Sequence, residues 1–129
     1  MKDIERENME KLVRVLETTA AKIRALEAEA KKVLFSEDDK EAYTQKLTNK
    51  AFLLTELPEM GEPFLSKMER ETAREIGAAL NDFARRAAQA MEISSIFYMS
   101  ALLYPDDYKE GDRNDLERFI DRLKEKFLE

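Results

Sequence analysis

Residues 3–35 read DIERENMEKLVRVLETTAAKIRALEAEAKKVLF. Within them Met9, Leu12, Leu16, Thr19, Ile23, Leu26, Ala30 and Val33 recur at alternating steps of three and four. Such steps return to one face of an α-helix, so the stretch predicts one long helix with a coiled-coil-like seam. Val13 and Ala20 widen the seam to the broader face of a bundle helix. Glu7 and Lys11, Glu10 and Arg14, and Glu27 and Lys31 stand four apart with the acid first, the favourable order on a helix exterior.

Outward from this helix the same period continues. Ser36, ahead of Glu37, Asp38 and Asp39, predicts a capped start for a helix over 37–57, with Tyr43, Leu47, Ala51, Leu54 and Leu57 as its apolar set. Pro58, Gly61 and Pro63 mark the clearest break in the chain. From 63 to 104 the pattern predicts a second very long helix. Its Ile93–Tyr104 end is apolar nearly all round, the mark of a helix covered on every side. A polar loop follows, then a helix over 114–128 with Leu116, Phe119, Ile120, Leu123 and Phe127 facing inward. The expected fold is all-α, an antiparallel bundle of about four helices, with residues 1–129 forming a single domain. Only 3 glycines and 3 prolines punctuate 129 residues, too few for the turns of a β-sandwich or barrel.

Composition removes much chemistry. The chain has no Cys and no His, which excludes disulfides, thiol nucleophiles, imidazole bases and Cys/His zinc sites. No cofactor and no metal site is expected. Net charge is −6, with the excess acid in residues 36–62 and 105–129. No basic arm offers a footprint for nucleic acid or for an anionic membrane surface, so neither is an expected partner. The longest apolar run, 93–104, is well short of the ~20 residues of a membrane span. Charges alternate from Lys2 onward, unlike a secretory leader, and a cytoplasmic location is expected.

Four groups of residues could carry chemistry. Asp106, Gly111 and Glu117 fit positions 1, 6 and 12 of a calcium-binding loop, but Tyr108 and Arg113 occupy positions that need a ligand and an apolar residue. Glu71, Glu75 and Asp82 share one sector of a helix, as in the magnesium sites of all-α nucleotide pyrophosphohydrolases. The paired Glu-x-x-Glu and Glu-x-x-Asp motifs of those enzymes are missing. The Arg85-Arg86 pair could clamp a phosphate or carboxylate, and Tyr43, Tyr98, Tyr104 and Tyr108 could line a cavity. Each also reads as an ordinary solvated or packing residue. Gly77, beside Ala73 and Ala84, predicts a close helix crossing.

The expected function is a non-enzymatic protein-interaction module: an oligomeric scaffold, adaptor or small chaperone. The alternatives are an acidic inhibitor, antitoxin or immunity-type protein for a basic target, and a magnesium-dependent nucleotide pyrophosphohydrolase. The first-named partner is a second copy. At 1.5 Å per residue an unbroken 63–104 helix outruns its neighbours by ~29 Å and leaves Ile93, Ile96, Phe97 and Tyr104 uncovered. The same register uncovers Met9, Leu12 and Leu16 at the start of the first helix. A two-fold dimer would cover both ends.

Overall fold

The computed structural model describes residues 2–129, and within them the chain is 79% helical with no strand. Six α-helices follow in order: α1 (Asp3–Phe35), α2 (Lys40–Thr55), α3 (Leu57–Leu65), α4 (Arg70–Glu92), α5 (Ile96–Ala101) and α6 (Asp115–Leu123). A short π-helix, Lys124–Leu128, continues α6. α2 and α3 form a bent middle layer between α1 on one side and α4 on the other, while α6 and the π-turn close against α1 and α5 lies on α2 and α4. Phe83 of α4 meets Phe119 of α6 edge to face, with ring centroids 5.9 Å apart. Among the described residues no helix is long and apolar enough to cross a membrane.

The α1 seam forms the heart of the core. Met9, Leu12, Leu16, Thr19, Ile23 and Ala30 are all buried, against Leu54, Leu57, Ile76, Leu80 and Ile120 from the other helices. Sequence periodicity and burial therefore agree along most of α1. The caps differ by a few residues from expectation. Ser36 ends α1, and Asp39 is the residue whose carboxylate accepts the Ala42 amide at 2.9 Å. Asn114 and Glu117 form a reciprocal capping box at the start of α6.

The expected 63–104 helix is three helices. The chain bends just before Pro58, between the end of α2 at Thr55 and the start of α3 at Leu57; Pro58 sits in the first turn of α3, where a missing N–H costs nothing, and Gly61 and Pro63 lie inside that helix. The first break falls at 66–69. The second falls at 93–95, without Gly or Pro. The Ser94 amide donates to Met91 O at 3.0 Å and the Ser95 amide to Ala90 O at 3.1 Å, the paired bonds of a Schellman stop. Ser94 takes the left-handed position, φ 51°, that glycine usually fills. Ser95 then caps α5, its hydroxyl accepting the Tyr98 amide at 3.1 Å. The Ser94-Ser95 pair thus ends one helix and starts the next.

This fold-back removes the overhang. Met9, Leu12 and Leu16 are 0% exposed and belong to the core, so they form no outer surface. The glycine that meets a close neighbour is also not the one expected. A Cβ at Gly61 would lie 2.7 Å from Leu80 Cδ1 and 3.6 Å from Leu12 Cδ1, whereas at Gly77 it would meet only Leu65 Cδ1 at 3.8 Å, an ordinary contact.

Candidate functional site

The chain places its chemistry on the two sides of residues 94–105. On the outer side four large apolar side chains stand in water: Phe97 at 73% exposure, Ile93 at 60%, Tyr98 at 55% and Ile96 at 44%. Phe97 and Tyr98 rings touch edge to face, 5.4 Å between centroids. Beside them lies a groove of about 440 Å³, walled by Ala90, Ile93, Tyr98, Ala101 and Leu102, with Arg86 and Asp115 among its lining charges. Three of the four residues expected at an exposed patch, Ile93, Ile96 and Phe97, are therefore there. Tyr104 also lines this groove, but it is half-buried and its hydroxyl is engaged on the inner side.

On the inner side a polar clamp joins α1, α2, α5 and α6. Lys50 of α2 is fully buried, 2.9 Å from Glu27 Oε2 of α1. Its ammonium also donates to Ser100 O of α5 at 3.2 Å and lies 5.0 Å from the Tyr104 ring centroid. Tyr104 donates its hydroxyl to the other Glu27 oxygen. Glu27 thus holds both Lys50 and Tyr104. Next to it, Arg24 grips Glu117 of α6 with two bonds, 2.7 and 3.2 Å, and donates to Asp112 O at 3.0 Å. The remaining Arg24 amino group reaches the Tyr104 and Tyr108 hydroxyls, each at 3.4 Å.

Burial pushes the Lys50 ammonium below its ordinary range, and the Arg24 charge adds to this against the opposing pull of Glu27. Burial, helped by the Glu27 hydrogen bond and charge, pushes the Tyr104 phenol up. Burial also pushes Glu117 up, but the Arg24 bonds, the Asn114 amide and the charges of Arg24 and Arg113 outweigh it and leave the carboxyl below its usual range. The clamp is a set of satisfied pairs. Its neighbouring cavity, about 540 Å³, is lined by Tyr43, Tyr104 and Tyr108 among others, so three of the four tyrosines do converge. Tyr98 does not join them and stands on the outer groove.

Of the other candidate clusters, the arginine pair, Asp82, Glu75 and Glu117 are held in ion pairs. Asp82 binds both Arg85 and Arg86, and Glu75 binds Lys126 at 3.2 Å. Glu117, the last position of the calcium-like frame, has its oxygens on Arg24 and on the Asn114 amide. Among the described residues no three acidic side chains gather as a metal-binding group. Leu103, buried at φ 78°, is the second non-glycine left-handed residue around α5, and its carbonyl accepts the Asp115 amide at 2.9 Å.

Sequence reasoning missed Lys50, Glu27 and Arg24. One signal for Lys50 was present: Tyr43, Leu47, Lys50, Leu54 and Leu57 repeat at four and three, so a lysine occupies a seam position of α2. Compared with protein-family models, with curated proteins and with solved structures, the chain matches none.

Proposed function

We propose that the chain is a non-enzymatic protein-interaction module that docks a partner on the outer face of α5. The observation that carries this reading is the group Ile93, Ile96, Phe97 and Tyr98, exposed together beside an apolar groove. By side-chain size these four expose roughly 400 Å² of apolar surface. Patches of ~300–600 Å² are the largest that ordinary monomers carry, and they are often functional. Isolated exposed residues such as Phe35 need no such explanation. The clamp supports the reading, because it fixes α5 from beneath while leaving its apolar side free. The acidic-decoy alternative has fewer free acids than composition suggests, since Glu117 and Asp121 already hold Arg24 and Arg113.

The test is photo-crosslinking in the source cell, with p-benzoylphenylalanine replacing Phe97 in one experiment and Phe35 in another. Adducts to protein are expected from position 97 and not from position 35. Absence of adducts at 97, or equal yields at both sites, overturns the reading.

A further inference from the structure

We infer that the occupant of the α5 face is a second copy of this chain, with Phe97 of each protomer seated in the groove of the other. The inference rests on the docking reading above and names its partner.

Three observations point to self-association. The first is shape. A projecting side chain and a receiving groove lie side by side, because Phe97 packs on Tyr98 and Tyr98 is a groove wall. Two copies related by a two-fold axis can each deliver a projection to the other's groove, as a self-complementary interface requires. The second is charge. Two copies of a chain with net charge −6 repel unless the meeting faces are themselves balanced. The groove lining contains one cation, Arg86, and one anion, Asp115, so the groove itself carries no net charge and can offer either sign to a second copy. Arg86 is free to turn, because its present bond to Asp82 is an exposed ion pair of little strength.

The third is area. A stable interface buries ~800 Å² per partner, of which ~56–65% is apolar. The roughly 400 Å² on Ile93, Ile96, Phe97 and Tyr98 supplies most of that apolar share, and the walls at Ala101 and Leu102 add to it. A face of this apolar extent suits a reversible dimer better than an obligate one, whose interfaces run larger.

Light scattering coupled to size exclusion, at tens of micromolar, tests the inference. The wild-type chain is expected at about twice its 15.0 kDa mass. Phe97→Glu, which removes the projection, and Ala101→Arg, which blocks the groove, are each expected to run as 15.0 kDa monomers with unchanged helix content. If Phe97→Glu loses helix content, Phe97→Ala takes its place. Mixing the two variants, one labelled with a donor dye and one with an acceptor, is expected to restore energy transfer. Only the mixed pair has one intact projection facing one intact groove.

A wild-type monomer overturns the inference, as does a dimer that survives both substitutions or a mixture without energy transfer. Binding of the apolar dye bis-ANS separates this failure from failure of the docking reading. A wild-type monomer whose dye fluorescence drops several-fold on Phe97→Glu keeps a docking face for a different protein and loses only the second copy. A wild-type monomer whose dye binding ignores Phe97 loses both.

Discussion

The inner and outer sides of the Ser94–Pro105 segment are built on opposite principles. Inside, Met99 and Leu103 are buried, Ser100 O accepts from Lys50, and Tyr104 donates to Glu27. Outside, Phe97, Ile93 and Tyr98 touch mainly water. A six-residue helix does not hold its shape alone, since isolated helices below ~12–15 residues are marginal. The inner contacts must therefore hold α5 where it is. A wholly apolar underside would hold α5 at lower electrostatic cost, because desolvating Lys50 and Glu27 is expensive. What the polar pair adds is register: an ammonium and a phenol can satisfy one carboxylate and one carbonyl in only a few geometries. The buried charges position α5, and the exposed apolar residues use that position.

The largest expected effect breaks the inner side. Lys50→Met leaves Glu27 without its cation at a mostly buried site and should cost ~3–5 kcal/mol in urea unfolding. Lys50→Met with Glu27→Leu should recover most of that loss, since an apolar pair of similar volume replaces both charges. If the double variant stays as unstable as the single, the pair contributes net stability and the register argument fails. Amide exchange in α5 supplies the sharper reading: the double variant should regain global stability yet exchange faster at 96–104 than the wild type.

A smaller effect follows from the Arg24–Glu117 pair. Glu117 is held below its usual carboxyl range in the folded chain. Folding therefore binds fewer protons there than unfolding does. The pair's contribution is present above the unfolded carboxylate value of ~4.3 and is lost as pH falls through the lower folded value. Arg24 is partly exposed, so the contribution is discounted to about 1 kcal/mol. Glu117→Gln should lower stability by about that amount at pH 7 and flatten the acid limb of the stability profile. An unchanged acid limb would assign it to other carboxylates.

Legibility from sequence divides along the same line. Ile93, Ile96 and Phe97 are exposed as expected, but around a separate short helix and not on the overhang of an unbroken one. The α1 seam and the core positions of α2 and α6 follow from hydrophobic period, which one-dimensional reading measures well. The breaks of the 63–104 stretch did not, because period is blind to an αL stop when serine takes the glycine position. Ser94 and Ser95 stand one helical step from Ala90 and Met91, where period alone does not separate them from small packing residues, yet a serine two residues before Phe97 is also an N-cap signal. The clamp was illegible for another reason. Lys50, Glu27 and Tyr104 are separated by 23 and 54 residues in sequence, and only the fold-back at Ser94 brings the last to the first two.

Ser94 is the hinge between the two sides. A non-glycine residue in the left-handed region costs ~1–2 kcal/mol. Ser94→Gly relieves that strain but adds freedom to the unfolded chain, a cost of roughly 0.5–1 kcal/mol. The net is a gain of about 0.5–1 kcal/mol, readable as a rise in thermal midpoint of a few degrees. Ser94→Val, which resists the same conformation, should destabilise instead. A gain from valine would mean that the stop is not held by its φ.

The smallest expected effect lies on the outer side. Phe97→Glu should change the stability of the dilute chain by no more than ~0.5 kcal/mol, the range of surface substitutions. The reason is that the ring touches Tyr98 and otherwise faces water, so removing it opens no cavity. Glutamate at this position sits in the first turn of α5, where its charge is tolerated by the helix dipole. Concentration is the variable that separates the two sides. If a second chain covers Phe97, the wild-type midpoint rises with protein concentration by mass action, and the Phe97→Glu midpoint does not. Lys50→Met should lower the midpoint at every concentration, because its effect is within one chain. Parallel concentration dependence in wild type and Phe97→Glu would show that the outer face adds nothing to folding or to association through Phe97.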